Sequence, residues 1–151
     1  MDQEERTLVK TLSRNDIGAT GGHQAGITVP RTPEALLFFP TLDSRINNPR
    51  IEIPFADRRS GSIVSLSFIY YNGRLLGSST RNEYRLTGLT RYFRDRSALP
   101  GDRLEFSKTG DGTYEIDFST GPDPEAESVA PDDGVIVLSG TWKTIRRGNF
   151  L

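Results

Sequence analysis

Ser62 to Tyr71 is the densest run of β-branched, aromatic and aliphatic residues in the chain, and Asn72-Gly73 stands directly behind it. Such a run, bounded by a turn signal, favours a strand. Asn-Gly is the strongest short-range sign of a tight hairpin. The return limb would pass through Arg74-Leu75-Leu76-Gly77 into a strand from Ser78 to Leu86. A chain built around that hairpin has a sheet to complete.

The remaining segments are of matching length. Arg6 to Leu12 sets Leu8 and Leu12 among polar neighbours, and Gln24 to Pro30 gives a second short strand. Arg50 to Phe55 puts Ile51, Ile53 and Phe55 on one face. Arg103 to Ser107, then Asp111-Gly112, then Tyr114 to Phe118 read as another hairpin, and Val135 to Ile145 as a last strand carrying the only tryptophan. Two short helices fit between. Thr32-Pro33-Glu34 supplies a cap, a first-turn proline and an acid ahead of Ala35 to Phe39, which Pro40 stops. Thr90 could cap Arg91 to Arg96. Seven or eight strands with two short helices predict a mainly β chain, a closed or nearly closed barrel whose loops at one end carry function.

At 151 residues the whole chain is expected to be one domain. With no cysteine, disulfides and thiolate metal sites are excluded, and a reducing cytosol is compatible. There is no membrane-length apolar run, and the charged start (Asp2, Glu4, Glu5, Arg6) is no signal peptide, so a soluble chain without membrane contact is expected. The formal net charge is only −1, yet charge is segregated. Arginines 74, 81, 85, 91, 94, 96 and 103 crowd one stretch, whereas Thr109 to Trp142 has no lysine or arginine. A basic face for a polyanion is one reading, and an ordinary solvated acidic face the other. The acidic, proline-rich Gly121 to Gly134 reads as a solvated loop, with a regulatory DNA mimic as the alternative.

Two polar stretches remain. Ser13 to Gly26 is too rich in glycine to be a core element, yet it carries Arg14, Asn15, Asp16, Gln24 and the only histidine, His23. Gly18, Gly21, Gly22 and the hydroxyls of Ser13 and Thr20 suit phosphate oxygens. The second stretch is Ser79-Thr80-Arg81-Asn82-Glu83-Tyr84-Arg85, where strand periodicity puts Arg81, Glu83 and Arg85 on one outward face. Arginine suits guanine, glutamate the cytosine amino group and asparagine adenine, so both stretches contain a kit for reading double-stranded DNA in the major groove. Alternatively, the Arg-Glu-Arg row pairs internally on an exposed sheet face.

Other chemistries fit less well. Asp102, Glu105 and Lys108 lack the Glu-x-Lys spacing of metal-dependent nucleases, and His23 has no nearby nucleophile, so neither a catalytic residue nor a metal site is assigned. The glycines of Gly18 to Gly22 lead into a strand without the lysine of a phosphate-binding loop. A protein-interaction barrel remains as the second function class.

The block Asn15-Asp16-x-Gly18-Ala19-Thr20-Gly21-Gly22-His23-Gln24-x-Gly26 strongly resembles the amino-terminal effector-binding domain of EcoRII-type restriction endonucleases. The resemblance returns at Ile69-Tyr70-Tyr71-Asn72 and at Thr80-Arg81-Asn82-Glu83-x-Arg85, in the same order and at similar separation. It is anchored from about Leu8 to Leu86. It implies a DNA-binding pseudobarrel shared with plant B-three transcription factors, in which an N-arm and a C-arm grip the major groove. His23, Arg81, Glu83 and Arg85 fall on the family's DNA-binding positions. Thr28 stands where the family carries tyrosine, and Ser79 and Tyr84 where it carries lysine; the two fewer positive charges imply weaker and less salt-dependent phosphate binding. Further implications are a CC(A/T)GG-like site read by a monomer, a bacterial cytoplasmic setting and a longer parent endonuclease. Its separate catalytic domain would use Mg2+, and this domain would need no cofactor.

Overall fold

The computed structural model describes residues 5–18, 26–121, 135–139 and 142–147. In chain order the elements are β1 (Glu5–Thr11), β2 (Gly26–Val29), α1 (Pro33–Phe38), β3 (Arg50–Asp57), β4 (Ile63–Tyr71), α2 (Gly73–Leu76), β5 (Glu83–Thr87), α3 (Thr90–Asp95), β6 (Arg103–Lys108), β7 (Tyr114–Ser119), β8 (Val135–Ser139) and β9 (Trp142–Arg147). All nine strands join one sheet in the order β2-β5-β4-β3-β7-β6-β1-β9-β8.

The two halves of the curled sheet meet along a narrow seam. β3 and β7 pair in parallel through only Ala56↔Glu115 and Asp57↔Ile116. Every other neighbouring pair is antiparallel. On the far side the indole Nε1–H of Trp142 in β9 donates to the Thr28 carbonyl of β2 at 2.9 Å. An edge carbonyl that would otherwise lack a partner is thereby satisfied, and the curled sheet is nearly closed. This is the nearly closed barrel expected from the strand pattern, built from nine strands where seven or eight were expected. Its interior holds Leu8, Ile27, Val29, Ile53, Phe55, Leu66, Phe68, Leu86, Leu104, Phe106, Ile116 and Phe118. Burial of that many large side chains is the main favourable term in folding.

α1 plugs the barrel as its sequence predicts. Thr32 accepts from the Ala35 N–H, Pro33 opens the helix, and Phe38 and Phe39 enter the core. The Tyr114 hydroxyl donates to the Phe38 carbonyl at 2.8 Å.

Four expectations change. Asn72-Gly73 does not make a two-residue hairpin: Asn72 has φ −110, whereas that turn needs positive φ at both central residues. The chain instead makes a third helix, α2, closed by Gly77 in the left-handed conformation. The return strand begins at Glu83, not Ser78. Val135 to Ile145 is two strands, β8 and β9, folded back on each other with Ser139 opposite Trp142. In α3, Thr90 lies inside the helix and Leu89 occupies the cap position without a side-chain bond. The acidic segment lies outside the described residues except for Gly121, whose carbonyl accepts from the buried Arg103 at 2.5 Å.

Candidate functional site

The two polar stretches are rooted differently. At the end of β1, Lys10 Nζ lies 3.2 Å from Asp16 Oδ2, with about a tenth of each side chain exposed. The Ser13 N–H donates to that same carboxylate at 2.8 Å, and the Asp16 N–H donates back to Ser13 Oγ at 3.2 Å. This reciprocal pair closes the first turn of the loop, and the chain leaves it through Gly18 at φ 78. Asp16 therefore faces inward onto Lys10 in the unbound chain. Ser13 is likewise engaged, so both residues shape the arm. Arg14 and Asn15 are exposed on the turn they create. Thr20, His23 and Gln24 lie outside the described residues.

The second root is neutral. Asn72 is fully buried, donates from Nδ2 to the Ser44 and Ile46 carbonyls, and accepts from the Asn48 N–H. One amide thus fixes the loop before β3 beneath the end of β4. Gly73 follows, and a Cβ there would lie 2.0 Å from Ser79 Oγ, so only glycine allows this approach. The Ser78 and Ser79 N–H groups both donate to the Gly73 carbonyl, and the Arg74 N–H donates to the Arg81 carbonyl. α2 and the segment from Ser78 to Arg81 are laced into one unit, with Thr80 exposed on it.

On this unit the side chains expected to read bases are preset. Arg81 stacks its guanidinium 3.7 Å from the Tyr71 ring and contacts Glu83 at 2.5 Å. Arg85 lies 4.0 Å from Glu83 and donates to Thr28 Oγ1 at 3.1 Å and to the Gly26 carbonyl at 3.2 Å. The Arg-Glu-Arg row thus pairs internally in the unbound chain. Asn82 accepts from the Tyr70 hydroxyl at 2.7 Å, and Tyr84 stacks on Tyr70 with ring centroids 4.2 Å apart. Tyr84 belongs to the inward row with Leu86, where burial pushes its hydroxyl above the ordinary tyrosine pKa.

The register places the return of the first stretch and the root of the second around β5. Gly26, the first described residue after the glycine-rich loop, pairs with Thr87 at one end, while Tyr71 pairs with Glu83 at the other. The first stretch thus rejoins the sheet at the opposite end of this ladder from the second, and not, as expected, at one end of the barrel. Four residue steps separate these two points, roughly 13 Å along a strand. Arg85 lies between them, opposite Thr28.

Sequence reasoning passed over Lys10 and assigned no role in this site to Tyr71, Asn72 or Thr28, which it named as positions of the resemblance. Lys10 facing inward from a strand was a readable signal; the partners of Asn72 were not, because they are twenty-four or more residues away in sequence. The arginine-rich stretch also divides. Arg91 and Arg96 sit on or just after α3, at the other end of β4 from α2, and pair with Asp95 and Asp57. Burial would raise the Asp57 carboxyl, but the Arg59 N–H, the Arg96 charge and bonds from Ser60 together hold it below its ordinary value. Asp102 and Lys108 have separate structural tasks: Asp102 accepts from the Leu99 N–H, and Lys108 lies over the Tyr114 ring. Among the described residues no three histidine, aspartate or glutamate side chains gather as a metal site.

The family described as restriction endonuclease EcoRII, N-terminal, matches residues 2–102. The chain belongs to this family. The type II restriction enzyme EcoRII of Escherichia coli is 38% identical over 88 residues, covering 52% of this chain. That stretch is 20% of the enzyme, so this EcoRII-type domain spans a small part of its curated relative. The fold is that of an Arabidopsis FUS3–DNA complex, with a TM-score of 0.58 at 15% identity over 75% of this chain and 95% of that one. It is also that of the UbaLAI restriction endonuclease B3 domain with cognate DNA, with a TM-score of 0.55 at 20% identity over 97% of this chain and 90% of that one. The pseudobarrel of this EcoRII-type amino-terminal domain is therefore a B3-like fold.

Proposed function

We propose that this domain binds double-stranded DNA sequence-specifically, with the two arms reading the major groove of a CC(A/T)GG-like site. The observation that carries this reading is the separation, by the length of β5, of the point where the first stretch returns to the sheet from the root of the second. Roughly 13 Å along a strand is close to the ~12 Å width of the major groove. Arg85 occupies the centre of the face between them and is braced to the exit of one arm while belonging to the other. The internal pairing of Arg81 with Glu83 is compatible with readout. A half-exposed pair contributes only about 0–1 kcal/mol, so both groups can exchange each other for guanine and cytosine edges at small cost. Arg81, Glu83 and Arg85 read bases, and Asn82 assists through its amide. Arg14, Asn15, Thr20, His23 and Gln24 serve the opposite half-site, Ser79 and Thr80 offer hydroxyls to phosphate, and Ser13, Asp16 and Tyr84 support.

Because the arms are unlike, a monomer suffices. The domain acts in the bacterial cytoplasm as the recognition or effector part of a restriction endonuclease, and a separate Mg2+-dependent domain of the parent makes the cut.

Fluorescence anisotropy with a CC(A/T)GG duplex and a scrambled duplex, across a salt series, tests the proposal. The cognate duplex should bind at least tenfold tighter, and Arg81→Ala should remove most of that preference while leaving the melting temperature within a degree or two. Equal affinity for both duplexes would end the sequence-reading proposal. Absence of binding to either would favour a protein-interaction barrel.

A further inference from the structure

The connection between β4 and β5 carries a feature that hydrogen-bonding readout does not use. Leu75 and Leu76 are 63% and 43% exposed, and Ile46 is 56% exposed. All three are attached to Asn72: the Leu75 and Leu76 N–H groups donate to its carbonyl, and the Ile46 carbonyl accepts from its side chain. Among the described residues the other exposed large aliphatics lie elsewhere, Leu37 on α1, Ile51 on β3, Ile63 on β4 and Leu99 in the connection between α3 and β6. Leu75 and Leu76 thus stand exposed side by side on a turn whose backbone is tied to the buried Asn72, and an exposed apolar pair at a polar binding face is a candidate contact.

We propose that Leu75 and Leu76 form an apolar contact with a thymine 5-methyl group in the major groove, adding methyl recognition to the polar readout by Arg81 and Glu83. Charge selects the occupant. Arg74 is exposed within the same turn, and its N–H is bonded to the carbonyl of Arg81, which pairs with Glu83, so an exposed cation adjoins the apolar pair and favours a polyanion. Continuity selects the group. α2 is part of the arm that carries Arg81, and the methyl of thymine is the one apolar group that a base pair presents in the major groove. The proposal rests on the DNA-reading function above and names one determinant within it.

The test replaces each thymine of the cognate duplex and its flanks, one at a time, by uracil, which removes only the methyl. Affinity is measured for the unsubstituted chain, Leu75→Ala and Leu76→Ala. At one position the unsubstituted chain should lose about fourfold, the worth of one methyl-sized group taken from water. At that position one or both leucine variants should bind thymine and uracil duplexes alike. If no thymine replacement changes the affinity of the unsubstituted chain while cognate preference over scrambled DNA persists, the methyl contact is wrong and the DNA-reading function stands. If cognate preference itself is missing, both fail together. If the variants alter the sedimenting mass of the free chain but not its DNA affinity, the occupant is a second copy and the proposal is overturned.

Discussion

The two arm roots solve one mechanical problem with opposite chemistry. A polar loop must leave a barrel in a fixed direction, although its own residues bury little apolar surface to hold it. At the first root the solution is a charge pair, Lys10 with Asp16, closed locally by the Ser13 bonds. At the second it is an uncharged amide, Asn72, that reaches residues remote in sequence. A nearly buried ion pair stabilises only while both partners are present, because either charge alone is left desolvated. A buried amide without partners has a smaller penalty, but several are incurred at once when it ties several backbone groups. The first root should therefore be the more fragile to single substitution and the second the more widely connected.

Asp16→Ala should have the largest effect. It takes the carboxylate away from the nearly buried Lys10 and frees the Ser13 N–H, with an expected loss of about 3–4 kcal/mol by urea unfolding. Adding Lys10→Met should restore most of that loss, and failure of the rescue would show that the pair is not what holds the root. Asn72→Ala removes the partners of one N–H and two carbonyls and should cost about 2–3 kcal/mol. Its distinctive outcome is faster amide exchange at Asn48, across the loop before β3, with Ser13 and Asp16 unchanged. Exchange accelerating equally at both roots would mean that they are one cooperative unit and would dissolve the comparison.

Gly73→Ala should cost about 1–3 kcal/mol through overpacking against Ser79. Combining it with Ser79→Gly should return part of the loss, a coupling a double-mutant cycle measures.

The smallest effect concerns a group outside both roots. Burial pushes the Tyr92 hydroxyl up to about 12. A raised folded-state pKa gives stability that is complete below the unfolded value, near 10, and lost as pH rises through the folded one. The melting temperature should therefore decline between about pH 10 and 12, and Tyr92→Phe should flatten that decline without moving either root. An unchanged slope in Tyr92→Phe would assign the alkaline loss to other groups.

Much of this molecule was legible in local pattern. Ile27 and Val29, Ile53 and Phe55, and Leu66 and Phe68 alternate inward as their spacing required, and Thr32 with Pro33 began α1 where expected. The polar stretches were legible as polar stretches. Asn72-Gly73 shows where legibility ends: its hairpin signal is a statement about intrinsic φ preference, and three tertiary hydrogen bonds outweighed it. Asp16 shows the same limit. As a sequence symbol it is an acid in a polar loop, and only the inward approach of Lys10 turns it into a brace.

By itself the sequence determined that the chain is mainly β, which faces of its strands are apolar, and that two polar segments carry arginine, acid, amide and glycine. Those properties follow from backbone periodicity and side-chain solvation, which act within a few residues. The tertiary structure alone decided that the first stretch rejoins the sheet at the opposite end of β5 from the second, that Arg85 sits between these points, and which polar groups face inward. Those depend on strand register and on pairings across the barrel, where partners such as Thr28 and Trp142 are brought together by chain topology.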